Sequence, residues 1–450
     1  LSTPAHRSAP RRRTLLSAAV ATVLGVGLFA AGGIGLAPWS ASHGDDGAAS
    51  STAVAGAPPA VDPAAAGGVT ALQQRLRANP RDPLALGTLG LAYVQQARTS
   101  GDPTYYPKAE AVLKRSLALE KKDNYTALGG MAALEAARHN FSRALDWARR
   151  ATAANPYNAT LQGTLADACT QLGRYTEAAD ATQRMVDLKP GTPSFARASY
   201  AAELRGDTTA ARADMRRALR AAAGPEDRAF ARYYLSELAF DSGDAATALT
   251  EAEAGLRAAP SYTALLQAKA RAEAALGRDR AALTDLGRAV ERLPLPEYVL
   301  QLGELHASLG HREEARRQYE VFRAEQRVFA ANGVALDSDA ALYEADHGTP
   351  ARAVTIARKG LASRPFLDSH DALAWALHAA GRDREALAES DLALSLGTRN
   401  ALFHYHRAMI QRSLGDHAKA RAGLRRALEI NPHFHPLHAA EARKALAALS

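Results

Sequence analysis

Cysteine is nearly missing from this 450-residue chain: Cys169 stands alone, which excludes an intrachain disulfide and a thiolate metal cluster. Aromatic residues make up only 6%, so a core has to be assembled from alanine and leucine on closely spaced helices. There is no HExxH, GxSxG or GxxxxGK motif, and no GxGxxG with a following helix signal, so nothing points to catalysis and no cofactor is expected. Acidic residues are absent before Asp45, where Arg7, Arg11, Arg12 and Arg13 contribute to a net charge of +8. Without residues 1–42 the balance is 51 basic to 47 acidic residues. No basic run interleaved with aromatics remains that could track a phosphate backbone, and no nucleic-acid partner is expected.

Charge is also lacking across residues 14–37, which follow the basic leader 1–13. Twenty-four uncharged residues are enough for a membrane-spanning helix, which needs about 20. That length favours a retained anchor; against it, the glycines in this stretch, the small residues Ser40 and Ser42 and the Arg12-Arg13 pair point to a cleaved export signal. Both alternatives stay open, and both place everything after residue 42 outside the cytoplasm, as a single-pass membrane protein or a secreted one. Residues 38–70, rich in Ala, Gly, Pro and Ser, read as a disordered stalk.

What is present is a repeat. A Gly followed five residues later by Ala recurs at Gly173/Ala178, Gly206/Ala211, Gly243/Ala248, Gly277/Ala282, Gly310/Ala315, Gly348/Ala353, Gly381/Ala386 and Gly415/Ala420, with His139/Ala144 preceding them. Twelve residues before each Ala stands a small residue: Ala132, Ala166, Ser199, Ser236, Ala270, Gly303, Ala341, Ala374 and Ala408. Small residues on facing helices allow close approach, and a Gly between them supplies a left-handed C-cap, so the unit is a helical hairpin. Pro156, Pro190, Pro260, Pro294, Pro365 and Pro432 stop the second helix, while the copies at Ala211, Ala315 and Ala386 lack that proline. Cys169 falls on an apolar helix side with Leu165, Ala166 and Leu172 and reads as an inert core thiol.

Units of about 34 residues with small residues at positions 8 and 20 and Pro at 32 resemble the tetratricopeptide repeat, over roughly residues 83–432. The resemblance implies an all-α fold: a right-handed α-α superhelix of nine to ten hairpins within residues 71–435. Units begin near 83, 125, 159, 192, 229, 263, 296, 334, 367 and 401, and residues 436–450 form a capping helix. It also implies a concave groove lined by unit positions 2, 5, 9 and 12. These positions point to Tyr200, Glu203, Tyr233, Glu237, Phe240, Glu304, Trp375 and Tyr405, with Asp241 beside them, as a partner-binding surface. Aromatic and acidic side chains together favour a protein or peptide partner with basic and apolar residues. The Lys and Asn pattern with which some members of the family clamp a C-terminal carboxylate is absent.

The expected function is a non-catalytic protein-interaction scaffold presented outside the cytoplasm. An alternative is a metal-binding accessory protein using His433, His435 and His438, which meet no specific ligand spacing. An enzyme with scattered groove residues is a more remote alternative.

Overall fold

The computed structural model describes residues 68–336 and 338–449. The leader, the apolar segment 14–37 and all but the last three residues of the 38–70 stretch lie outside the described residues. No helix among the described residues is long and apolar enough to cross a membrane.

All regular structure among the described residues is α-helical. A helix that the repeat pattern did not foreshadow, α1 (Gly68–Ala78), precedes ten hairpins. These pair α2 (Pro83–Ser100) with α3 (Tyr105–Leu119), α4 (Tyr125–Ala137) with α5 (Phe141–Ala154), α6 (Ala159–Gln171) with α7 (Tyr175–Leu188), α8 (Thr192–Glu203) with α9 (Thr208–Arg220), and α10 (Pro225–Asp241) with α11 (Ala245–Ala258). The series continues with α12 (Thr263–Ala275) and α13 (Asp279–Arg292), α14 (Pro296–Ser308) and α15 (Arg312–Ala331), α16 (Ser338–His347) and α17 (Pro350–Ser363), α18 (Leu367–Ala379) and α19 (Asp383–Ala393), and α20 (Ala401–Ser413) and α21 (His417–Ile430). A final helix, α22 (His438–Ala448), covers the last hairpin.

Local chemistry sets the ends of these helices. Asp82, Asn124, Asn158, Asp207, Asp244, Asn400 and Asp416 each accept a backbone N–H from the first turn they cap. Gly173, Gly206, Gly243, Gly277, Gly310, Gly381 and Gly415 take positive φ between the two helices of their hairpins. His139, which occupies the same slot, is forced into that region at φ 60° despite its side chain. Between the helices the small residues allow main chains to approach closely enough for side chain to meet backbone: the Ser199 and Ser236 hydroxyls each donate 2.8 Å bonds to the carbonyls of the facing Ala211 and Ala248. Cys169 is buried among Leu145, Ala168 and Ala178, and burial pushes its thiol up to about 11.

The hairpins wind until the second superhelical turn touches the first. Arg364 donates to Gln171, 193 residues earlier, and the Asn431 side chain donates a buried 2.8 Å bond to the Phe240 carbonyl, 191 residues earlier. Near the start of the array the Ala335 amide donates to the Arg138 carbonyl at 3.3 Å. That reach depends on α15, which has no terminating proline and runs for 20 residues, so that Phe329 and Val334 enter the core of the first hairpins. The turn glycines of the lower layer serve as seats for the upper one. A side-chain carbon on Gly173, Gly206 or Gly243 would run into the carbonyl oxygen of Pro365, Gly397 or Ile430 respectively, whereas one on Gly277, Gly310, Gly381 or Gly415 would meet open space.

Candidate functional site

Because the turns close on each other, the first helices of the hairpins form a ring instead of an open groove. Helices α8, α10, α12, α14, α16, α18 and α20, together with the 431–439 segment, line one cavity of about 480 Å³. The ring is sealed where Tyr200 of α8 and Leu204 just beyond it pack with Phe366, Leu367 and Phe403 of the next turn.

Of the residues expected in the groove, Tyr200, Glu203, Tyr233, Glu237, Phe240, Asp241 and Glu304 line this cavity. Two do not. Trp375 is buried, donating its indole N–H to Asp346 at 2.7 Å and stacking on His406 with ring centroids 4.2 Å apart. Tyr405 has no exposed surface and donates its hydroxyl to Glu441 of the capping helix at 2.7 Å. The physical reason is the cap: α22 lies against the last first-helices, so positions that face the groove elsewhere become core there.

The walls are electrostatically uneven. On one side Arg271 donates to Glu237 and, at 3.3 Å, to Asp241, and its guanidinium lies 4.1 Å from the centre of the Phe240 ring. Near it, Glu203 ends α8 with no basic side chain paired to it among the described residues. Burial pushes the Glu203 carboxyl up to about 8, with Asp241, Glu237 and Asp368 adding to the rise. Glu237 is also raised by burial, against the pull of Arg271. Asp368, in the first turn of α18, is raised to about 7 by burial, against the pull of Arg364. The buried Tyr200 hydroxyl and the Asp368 Oδ2 make no hydrogen bond among the described residues.

At the opposite wall the carboxylates are satisfied. Glu304 lies 3.2 Å from His435 and 3.8 Å from His347; burial raises its carboxyl, but the two imidazoles prevail and bring it down to about 2. His438 sits 3.2 Å from both Asp346 and Glu441; burial lowers it, but the hydrogen bonds to these carboxylates prevail and hold it at about 9. His435 also accepts the amides of Leu437 and His438 through Nδ1, so it starts α22 while its other nitrogen faces Glu304. His435 and His438 are thus engaged by different carboxylates, and His433 lines the cavity elsewhere. No group of three or more His, Cys, Asp and Glu side chains among the described residues is arranged to hold a metal ion. The histidines fasten the cap.

Asp368 was missed in the sequence, although it occupies position 2 of the unit beginning at 367, one of the four groove positions. Asp346 had no such signal; only packing of the cap against α16 brings it to His438.

The described residues form an all-α solenoid of helical hairpins, an architecture that presents an extended inner surface. Residues 401–434, spanning α20 and α21, match the sequence model of the Tetratricopeptide repeat family. None of the curated proteins compared with the chain matches it. Among solved structures, a chain of the APC/C hetero-tetramer Cut9-Hcn1 is similar at 13% identity and TM-score 0.33, covering 84% of this chain and 92% of that one. Human IFIT1, described as a dimer with m7Gppp-AAAA, is similar at 16% identity and TM-score 0.46, over 73% of this chain and 77% of that one. A thermophilic TPR protein of Thermus thermophilus is similar at 22% identity and TM-score 0.37, over 42% of this chain and 98% of its own. None of these likenesses carries a partner or an activity over to this chain.

Proposed function

We propose that this protein is a non-catalytic tetratricopeptide-type scaffold, presented outside the cytoplasm, that holds a peptide segment of a partner protein inside its helical ring. The observation that carries the reading is the cavity of about 480 Å³ in which Tyr200, Tyr233 and Phe240 stand beside Glu203 and Glu237. Aromatic rings give contact area at small entropy cost, and carboxylates around them favour a segment with basic and apolar side chains. The apolar segment 14–37 behind three arginines supports presentation across a membrane.

The test places a photo-crosslinking amino acid at Tyr233 in the full-length protein in its native cells, with Tyr157, 81% exposed and outside the cavity, as the control position. The expected result is an adduct at Tyr233 mapped to a short linear segment carrying Lys or Arg, with none at Tyr157. The same adducts at both positions, or none at Tyr233, would overturn the reading. Protease treatment of intact spheroplasts addresses the topology: the repeats are expected to be digested, and full protection would refute extracytoplasmic presentation.

A further inference from the structure

Four carboxylates and a tyrosine come together where the two superhelical turns touch, and the molecule supplies them too few donors. Glu203 is the last residue of α8, where the negative end of the helix dipole disfavours a carboxylate. It is half-buried, has Glu237, Asp241 and Asp368 near it, and has no paired cation among the described residues. Tyr200, one helical turn earlier, is only 8% exposed with its hydroxyl unpartnered, and Asp368, 6% exposed, leaves Oδ2 unpartnered. Burial, helix dipole and like-charge neighbours all act against an ionised Glu203, and buried polar atoms in folded proteins are ordinarily bonded. The helix dipole at the start of α18 gives Asp368 a local reason to be there, but it offers none for Glu203.

Every vacant valence here is an acceptor or a hydroxyl, so the complementary group is a multiple donor with positive charge. The adjacent Arg271 shows how such a group is accommodated: its guanidinium lies over Phe240 and donates to two carboxylates. Arg271 is committed to Glu237 and Asp241, and Arg364, which acts on Asp368 through space against the like charge of Asp371, donates to Gln171, so Glu203 and Asp368 have no bonded cation among the described residues and are left for a further one. Asp241, whose side chain is 49% exposed, marks the solvent side of this corner.

We propose that this corner, built jointly by α8 of one turn and α18 of the next, is a pocket for a single guanidinium or ammonium side chain of the bound segment, received by Glu203, Asp368 and the Tyr200 hydroxyl. The proposal rests on the peptide-holding reading above and deepens it by naming the residues that select the basic side chain. The pocket exists only while the turns are in contact, since neither helix carries the set alone. A cation entering it would ionise carboxyls that burial holds partly protonated near neutral pH, so binding releases protons.

Titration calorimetry on the full chain at pH 7, in two buffers of different ionisation heat, tests this with three probes. These are acetyl-Ala-Leu-Arg-Ala-Leu-amide, the same peptide with Gln for Arg, and free agmatine. The Arg peptide is expected to bind at least about tenfold more tightly than the Gln peptide, with proton release, because a charge-assisted bond to a carboxylate is worth more than a neutral one. In Glu203→Gln combined with Asp368→Asn both the preference and the proton release should disappear, and Glu203→Gln alone, checked by its melting curve, should lose part of each. Equal binding of the Arg and Gln peptides would overturn the pocket and leave the peptide-holding reading standing. Binding of agmatine with neither peptide bound would overturn the side-chain occupant and the peptide-holding reading together, and so would an absence of binding by all three probes at millimolar concentration.

Discussion

The two walls of the ring carry the same kind of residue and treat it in opposite ways. Glu304 and Asp346 are met by His435 and His438, delivered by the segment that closes the solenoid. Glu203 and Asp368 face the same cavity at the turn-to-turn contact, with the Tyr200 hydroxyl unused beside them and Arg271 already engaged. A buried carboxylate with its own imidazole contributes to the fold, whereas one without a counter-ion costs stability and is ready for a ligand. The first pair fastens the cap; the second is where the proposal above seats a partner's cation.

The largest effect that would break this contrast is expected at the cap. His438→Ala leaves Asp346, still bonded to the Trp375 indole, without its imidazole, and should destabilise the C-terminal hairpins by about 3 kcal/mol, read as a lowered melting temperature. An unchanged melting temperature would mean that His438 does not hold α22. Next comes the seal between the turns. Gly381→Ala meets only the backbone cost of positive φ, about 1 kcal/mol, because nothing among the described residues lies within reach of its methyl. Gly206→Ala adds a collision with the Gly397 carbonyl and should cost about 2–3 kcal/mol, while also reducing the selectivity for the Arg peptide. Equal losses at the two glycines would show that the turns do not bear on each other in solution.

The smallest effect separates the walls by pH. His438 has a folded pKa of about 9, above the ordinary histidine value, so its contribution is full below about pH 6.5 and is lost as pH rises through 9. Glu203 is raised to about 8, so its neutral form favours the fold at low pH and stability declines as pH climbs from about 4.5 to 8. Glu304, held at about 2, contributes above about pH 4.5 and loses that contribution only as pH falls towards 2. Melting temperature should therefore peak near pH 5 and decline towards pH 9. Glu203→Gln should flatten the stretch between pH 5 and 8 and raise stability at pH 8 by about 1 kcal/mol. A variant that melts like the parent at every pH would show that Glu203 is solvated and carries no strain.

Much of the fold was readable along the chain because its cause is local. Helical period, small residues facing across each hairpin, and a Gly or its His139 substitute at the turn act within one unit, and the units repeat the same rule except at Gly348, which holds the turn position without a positive φ. The site was readable only where the array is uniform. In α8, α10 and α14, groove positions do face the cavity, but Trp375 and Tyr405 obey the same periodicity and are buried, because α22 lies against them. Asp368 occupies a groove position, but nothing in the local sequence distinguishes it from an acid in the first turn of a helix.

That this chain is a solenoid of helical hairpins, with aromatic and acidic residues on its first helices, is written in the residue pattern alone, because hairpin formation depends on neighbours a few tens of residues apart. Long-range packing, in contrast, makes the groove a ring, seats a second turn on Gly173, Gly206 and Gly243 but not on their counterparts, and selects which carboxylates are already answered. The seating of one turn on the other depends on contacts close to 190 residues apart, and the imidazoles that answer Glu304 and Asp346 arrive from 131 and 92 residues away, all set by the accumulated pitch of many hairpins and carried by no single unit.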